Sequence, residues 1–118
     1  MSNTPIKLIL YGLLFVFVLA TPRVSMADAV RDQYFKAENA YKKLLASHNQ
    51  RKYRHHWLRV INEFQKVYDK DPDGSWAAAG LYRVGATYIE LYRRSGRDDD
   101  LNAGLKRLDQ VRQKFPSS

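Results

Sequence analysis

The chain has 118 residues and a formal net charge of +8, from 20 Lys or Arg and 12 Asp or Glu side chains. This length accommodates one small domain rather than several. The sequence has no cysteine, which excludes disulfide cross-links and leaves stability to packing. It also shows no Ser/His/Asp triad, no pair of catalytic carboxylates and no Gly-rich phosphate loop. We therefore expect neither an enzyme nor a cofactor-binding protein.

Residues 1–27 have the layout of a secretory signal peptide. Lys7 gives a weakly basic start, residues 8–20 form an apolar run, and a proline and the small residues Ser25 and Ala27 follow. This layout predicts cleavage after Ala27. A retained membrane anchor is the alternative, but the run falls short of the roughly 20 apolar residues that span a bilayer. No cysteine follows the run, so a lipoprotein anchor is excluded.

Cleavage would leave residues 28–118 as the mature domain. Because Lys7 and Arg23 are lost, the mature domain has 18 basic and 12 acidic side chains, a net charge of +6. A basic exported domain attracts anionic polymers or acidic proteins. We therefore expect a periplasmic or otherwise exported protein whose partner is an envelope protein or an anionic wall polymer. Export argues against nucleic acid, and only an uncleaved signal would contact the membrane.

The mature region shows amphipathic helix patterns and no strand pattern, so the predicted fold class is all-α, with four antiparallel amphipathic helices. They are predicted at about residues 28–46, 53–68, 75–94 and 98–115, each with apolar side chains spaced by three or four. The stripes are Val30, Tyr34, Ala37, Tyr41 and Leu44 in the first helix; Trp57, Val60, Ile61, Phe64, Val67 and Tyr68 in the second; Ala78, Leu81, Gly85, Tyr88 and Tyr92, beside Tyr82, Ala86 and Ile89, in the third; and Leu101, Leu105, Leu108, Val111 and Phe115 in the fourth.

The third helix has the widest apolar surface, so we expect it to be the most buried. Its Gly85 and Ala86 should let another backbone approach closely. Asp73 or Ser75 is predicted to cap its start. The acidic run 98–100 should favour the start of the fourth helix by interaction with the helix dipole.

The second and fourth helices repeat at a fixed offset. Val60, Phe64, Val67 and Pro72 correspond to Gly104, Leu108, Val111 and Pro116. Repeated helix pairs are typical of a solenoid. With Leu81, Val84, Gly85 and Tyr88 in the preceding helix, the pattern resembles a tetratricopeptide-like repeat; an unrelated four-helix bundle is the alternative.

The tetratricopeptide resemblance implies two helix hairpins whose first helices line a concave surface. That surface would present a mildly basic partner-binding edge. Its predicted residues are Lys36, Arg83, Thr87 and Glu90, with Gln33 beside them.

A second resemblance is to the helical N-terminal module of some exported N-acetylmuramoyl-L-alanine amidases. It is carried by Ala40-Tyr41-x-x-Leu44-Leu45-Ala46-Ser47, by Arg51-x-Tyr53-Arg54-x-x-Trp57 and by Leu81-Tyr82-Arg83-x-Gly85-x-x-Tyr88-x-x-Leu91-Tyr92. The zinc-binding His and Glu residues of the amidase domain have no counterpart here. The resemblance implies a non-catalytic, periplasmic interaction or scaffold module linked to peptidoglycan processing. The alternative is a small structural helical protein that self-associates in the envelope.

Basic side chains cluster around the predicted first turn, where they form either an anion-binding patch or a solvated corner. They are Lys42, Lys43, Arg51, Lys52, Arg54 and Arg59.

Residues 69–74 match the opening of a calcium loop, but Gly80 stands where an EF-hand needs Glu. Neighbouring His55 and His56 point apart on a helix. No metal site is therefore predicted.

Overall fold

The computed structural model describes residues 25–117, and within this range the protein has four α-helices, one 3-10 turn and no strand. The helices are α1 (Met26–Ala46), α2 (Arg54–Lys70), α3 (Ala77–Ser95) and α4 (Asp98–Lys114), and the 3-10 turn Gln50–Lys52 precedes α2. The predicted all-α class is confirmed. None of these helices is both long and apolar enough to cross a membrane.

The predicted signal peptide falls almost wholly outside the described residues. Only its last three residues are described, and there Ser25 caps α1 by accepting a 3.1 Å hydrogen bond from the Asp28 amide. Signal cleavage therefore stays a prediction. Cleavage after Ala27 would remove this cap and the first two residues of α1.

Each helix packs against the next one along the chain, and neighbouring helices run antiparallel. Between α2 and α3, for example, Val67 near the end of α2 lies against Gly80, while Trp57 near its start lies beside Arg94 at the end of α3. Polar contacts also join alternate helices, which run parallel. Tyr41 of α1 reaches Glu90 of α3.

The core lies between α1, α2 and α3. Its buried apolar side chains on α1 and α2 come from the predicted stripes. On α3 only Leu81 does so, because the buried face lies one position away from the predicted one and holds Ala77, Val84 and Leu91. Helix α3 still contributes the most buried residues, as predicted. The core comprises Val30, Ala37, Leu44, Trp57, Val60, Ile61, Phe64, Val67, Ala77, Leu81, Val84 and Leu91.

Two outward-facing side chains were wrongly assigned to the apolar stripes. Tyr82 is 52% exposed and Leu105 is 51% exposed. On α4 only Asp100 and Gly104 are buried, because α3 covers one side of this helix and no other described segment covers the opposite side. The fourth stripe is therefore half-buried at best.

Glycines set the crossing of α3 and α4. A Cβ on Gly104 would lie 3.0 Å from the Gly85 carbonyl oxygen and 2.7 Å from the Ile89 side chain. This contact confirms the predicted close approach at Gly85. At the end of α3, Gly96 adopts a left-handed φ of 66° and its amide donates to the Tyr92 carbonyl, an αL cap that glycine allows without strain.

The start of α3 differs from the prediction. Trp76 occupies the capping position and no side chain caps the helix. Neither Asp73 nor Ser75 does so, because the Gly74 and Ala77 amides bond to the carbonyls of Asp71 and Gly74 in successive turns. The predicted side-chain cap is wrong.

Candidate functional site

The predicted concave edge between α1 and α3 is largely occupied by internal contacts. Arg83 of α3 pairs with Glu38 of α1, and its guanidinium lies over the rings of Tyr41 and Phe64, 4.7 and 4.5 Å from their centroids. These cation–π contacts and the ion pair fix Arg83 within the fold. It is therefore not free to serve as a rim charge for a partner.

Tyr41 and Glu90 form a second link between the same helices. The Tyr41 hydroxyl donates to the Glu90 carboxylate at 2.8 Å. Burial, together with this hydrogen bond, raises the pKa of Tyr41 to about 12. The hydroxyl therefore stays protonated and keeps donating across the neutral pH range.

Thr87 was predicted to lie on an open edge, and that placement is wrong. Its side chain is 0% exposed, because it shares a helix face with the buried Val84 and Leu91. That spacing was visible in the sequence, but the tetratricopeptide resemblance assigned Thr87 to the concave side. Gln33 is also nearly covered, and its amide donates to the Glu63 carboxylate at 2.8 Å.

Lys36 is the one member of the predicted edge that stays open. Its side chain is 67% exposed, and its ammonium lies 3.8 Å from Glu63. Burial opposes ionisation of Glu63, but hydrogen bonds from Gln33 and Lys66 outweigh this effect and lower its pKa.

A buried junction near the start of α4 joins three helices. Asp100, 1% exposed, accepts hydrogen bonds from Arg54 of α2 at 2.7 and 3.2 Å. It also accepts one from the Ser95 hydroxyl at the end of α3 at 2.7 Å. The Arg54 hydrogen bond is the main reason that the pKa of Asp100 lies below its usual range. Arg54, predicted as part of a basic patch, is therefore partly neutralised.

The remaining members of the predicted basic patch gather at one end of the molecule. This basic end holds the ends of α1 and α3 and the starts of α2 and α4. Arg93 and Arg94, which the sequence analysis missed, lie at the end of α3 and add to it. Within residues 25–117 no ion pair engages Lys42, Lys43, Arg51, Lys52, Arg59, Arg93 or Arg94.

A groove between α1 and α2 opens at this basic end. Its volume is about 230 Å³. Small or buried apolar residues form the floor, and long polar side chains form the rim. The rim residues are Lys36, Lys43, Gln50, His56, Arg59 and Glu63. We call this feature the basic groove.

Aromatic rings continue from the basic groove. Tyr53 is 50% exposed, and its ring centroid lies 6.0 Å from that of His55 and 6.4 Å from that of His56. The two imidazoles are 4.1 Å apart, so the prediction that these neighbouring side chains point apart is wrong. Loss of hydration, followed by the nearby charges of His55 and Arg59, lowers the pKa of His56, which favours the neutral ring.

The described part of the chain contains no group of three or more His, Cys, Asp or Glu side chains placed to hold a metal ion. The acidic turn after α2 is built by backbone hydrogen bonds such as that from the Gly74 amide to the Asp71 carbonyl.

No family model, curated protein or solved structure matches the chain. The tetratricopeptide and amidase resemblances therefore rest on the residue patterns alone and stay predictions.

Proposed function

We propose that the protein is a non-catalytic interaction or scaffold module of the bacterial envelope, working in the periplasm as the N-terminal part of a peptidoglycan amidase. Its helices would form two tetratricopeptide-like hairpins, α1 with α2 and α3 with α4. The observation that carries the proposal is the order of the helices: α1 lies parallel to α3, and α2 lies parallel to α4. A solenoid of helix pairs requires equivalent helices to contact each other, and here long polar side chains make that contact, such as Tyr41 with Glu90.

Contacts at both ends support this parallel stacking. Arg54 and Asp100 join the starts of α2 and α4, and Lys114 donates to the Tyr68 hydroxyl at 3.0 Å near their ends. The 44-residue offset between the same two helices in the sequence agrees with this pairing, since equivalent residues then lie at equivalent heights.

The test is fractionation of bacteria that express the full-length chain, followed by co-sedimentation with purified peptidoglycan sacculi. We expect a periplasmic protein that begins at Asp28 by mass spectrometry and that sediments with the sacculi. An unprocessed chain in the cytoplasm or inner membrane, or a processed chain that stays in the supernatant, would refute the proposal.

Self-association is the second candidate, and the uncovered side of α3 and α4 favours it. Tyr82 lies over a shallow hollow that it shares with Ala78, Ala79 and Val111. Leu105 is half-exposed at a separate position on α4. Apolar side chains displayed together are typical of surfaces that pair with another chain. Analytical ultracentrifugation of the parent and a Tyr82→Ser, Leu105→Ser variant distinguishes a monomer from a dimer. A dimer that is lost in the variant supports self-association, whereas a monomeric parent refutes it.

A further inference from the structure

We propose that the basic groove and the Tyr53 and His55 rings beside it bind a segment of an anionic polysaccharide. This inference names the ligand of the proposed envelope module and rests on that function. The argument has three parts: the charge of the groove, its size and the aromatic rings at its end.

The first part is the charge of the basic groove. Lys43 and Arg59 come from different helices, yet both line the groove, and neither forms an ion pair within residues 25–117. The one carboxylate on the rim, Glu63, is already engaged by Gln33, Lys36 and Lys66. The rim therefore presents unneutralised positive charge, which is complementary to an anionic ligand.

The second part is the size and shape of the site. The groove holds about 230 Å³, less than the roughly 300–1,000 Å³ of pockets that enclose a drug-sized ligand. Further cations without an ion pair in residues 25–117 lie at the same end of the molecule: Lys42, and Lys52 in a separate hollow with Arg51 and Arg94. An extended ligand with repeated negative charges matches this arrangement better than an enclosed small molecule.

The third part is the pair of exposed rings. Tyr53 and His55 lie next to His56, which belongs to the groove rim. The apolar faces of pyranose rings stack against aromatic faces, and a half-exposed tyrosine offers such a face beside the cations. A polyglutamate or polyphosphate chain has no ring to place there. Nucleic acid bases also stack on aromatic rings, but the proposed function places the chain outside the cytoplasm and away from nucleic acid. Among the remaining polyanions the aromatic rings favour a polysaccharide.

The experiment measures binding of polygalacturonate, a carboxylated polysaccharide, to protein purified after expression of the full-length chain. Methyl-esterified polygalacturonate keeps the sugar rings without the charge, and polyglutamate keeps the charge without the rings. We expect the charged polysaccharide to bind at least about tenfold more tightly than either control, and its affinity to fall with salt. Equal affinity for polyglutamate or for the ester, or polygalacturonate binding that does not weaken with salt, would overturn the proposal.

Variants locate the site. Lys43→Glu with Arg59→Glu should weaken polygalacturonate binding by about tenfold or more. Tyr53→Ala should weaken it by about two- to tenfold, and Tyr53→Phe should restore it, since stacking needs the ring and not the hydroxyl. The charge-matched control, Lys70→Glu with Lys106→Glu, changes two exposed cations away from the groove. If this control loses as much affinity as the groove variant, net charge explains binding and the proposal is wrong.

Two further outcomes separate this inference from the proposed function. Sacculi that bind the parent and the groove variant equally would overturn the groove as the site, but would leave the envelope function standing. Tight, Tyr53-dependent polygalacturonate binding by a chain that is never exported would support the groove and refute the envelope function. Circular dichroism melts of every variant exclude loss of folding as the cause.

Discussion

Replacing Asp100 by Asn should destabilise the protein far more than its place in a run of three aspartates suggests. The buried carboxylate accepts two hydrogen bonds from Arg54 and one from Ser95. Asn keeps the size of the side chain, but it removes the charge and turns one amide NH2 group towards the Arg54 donors. A hydrogen bond to a charged group contributes about 1.5–3 kcal/mol. Because Arg54 is 38% exposed, water can compensate in part, and we expect a loss of about 2 kcal/mol.

A loss of about 2 kcal/mol corresponds to a fall of roughly 8–16 °C in Tm for a domain of this size. The assay is urea unfolding followed by circular dichroism, with a thermal melt of the same samples. Asp99→Asn is the matched control, since that side chain is 83% exposed and lies 3.6 Å from Arg97; it should cost under about 0.5 kcal/mol. Equal unfolding midpoints for the Asp100 and Asp99 variants would show that the junction does not stabilise the fold.

Four further predictions follow from the same structure. The pKa of Asp100 is lowered in the folded state, so the stabilisation of the fold by its carboxylate is present above the unfolded pKa of about 3.9 and is lost as pH falls through the folded pKa. In melts at a series of pH values, the Tm should therefore fall more steeply towards acid pH in the parent than in Asp100→Asn. Leu81→Ala empties a fully buried site and should cost about 2–5 kcal/mol by urea unfolding, and a parent-like midpoint would contradict the core assignment. Gly104→Ala should lower Tm, because its Cβ meets both Ile89 and the Gly85 carbonyl and overpacking outweighs the gain in helix propensity. Melts with calcium, zinc or chelator should coincide, and a metal-dependent rise in Tm would reveal a site that we do not expect.

Helix positions were predicted well because the local signals agree with the packing. Pro72 and Gly74 mark the end of α2, and Gly96 marks the end of α3, where its positive φ is observed. The spacing of Trp57 and Phe64 placed both in the core, where they are almost completely buried. Such signals act within one or two turns of helix, so a single sequence carries them.

Side-chain partners between helices were predicted poorly, because they depend on how distant segments meet. Arg83 and Glu90 have the spacing of a polar edge, but Glu38 and Tyr41 of α1 engage them. Arg54 was assigned to a basic patch, since its partner lies 46 residues further along the chain. Apolar periodicity predicts the buried side of a helix correctly only when neighbouring segments cover every apolar side chain of the stripe. No described segment covers Tyr82, so this side chain is exposed although it belongs to a predicted stripe.

The few buried residues of α4 imply that local stability is unequal along this helix. Its first half is held by the Asp100 junction and by the crossing at Gly104. Beyond Gly104 no residue of α4 is fully buried, and the contact from Lys114 to Tyr68 is exposed to solvent. Local opening requires least free energy where few apolar contacts are broken. Amide hydrogen exchange should therefore be fastest in the last turns of α4 and slowest in the middle of α2 and α3, so that the end of α4 can unwind and re-form while the rest of the protein stays folded.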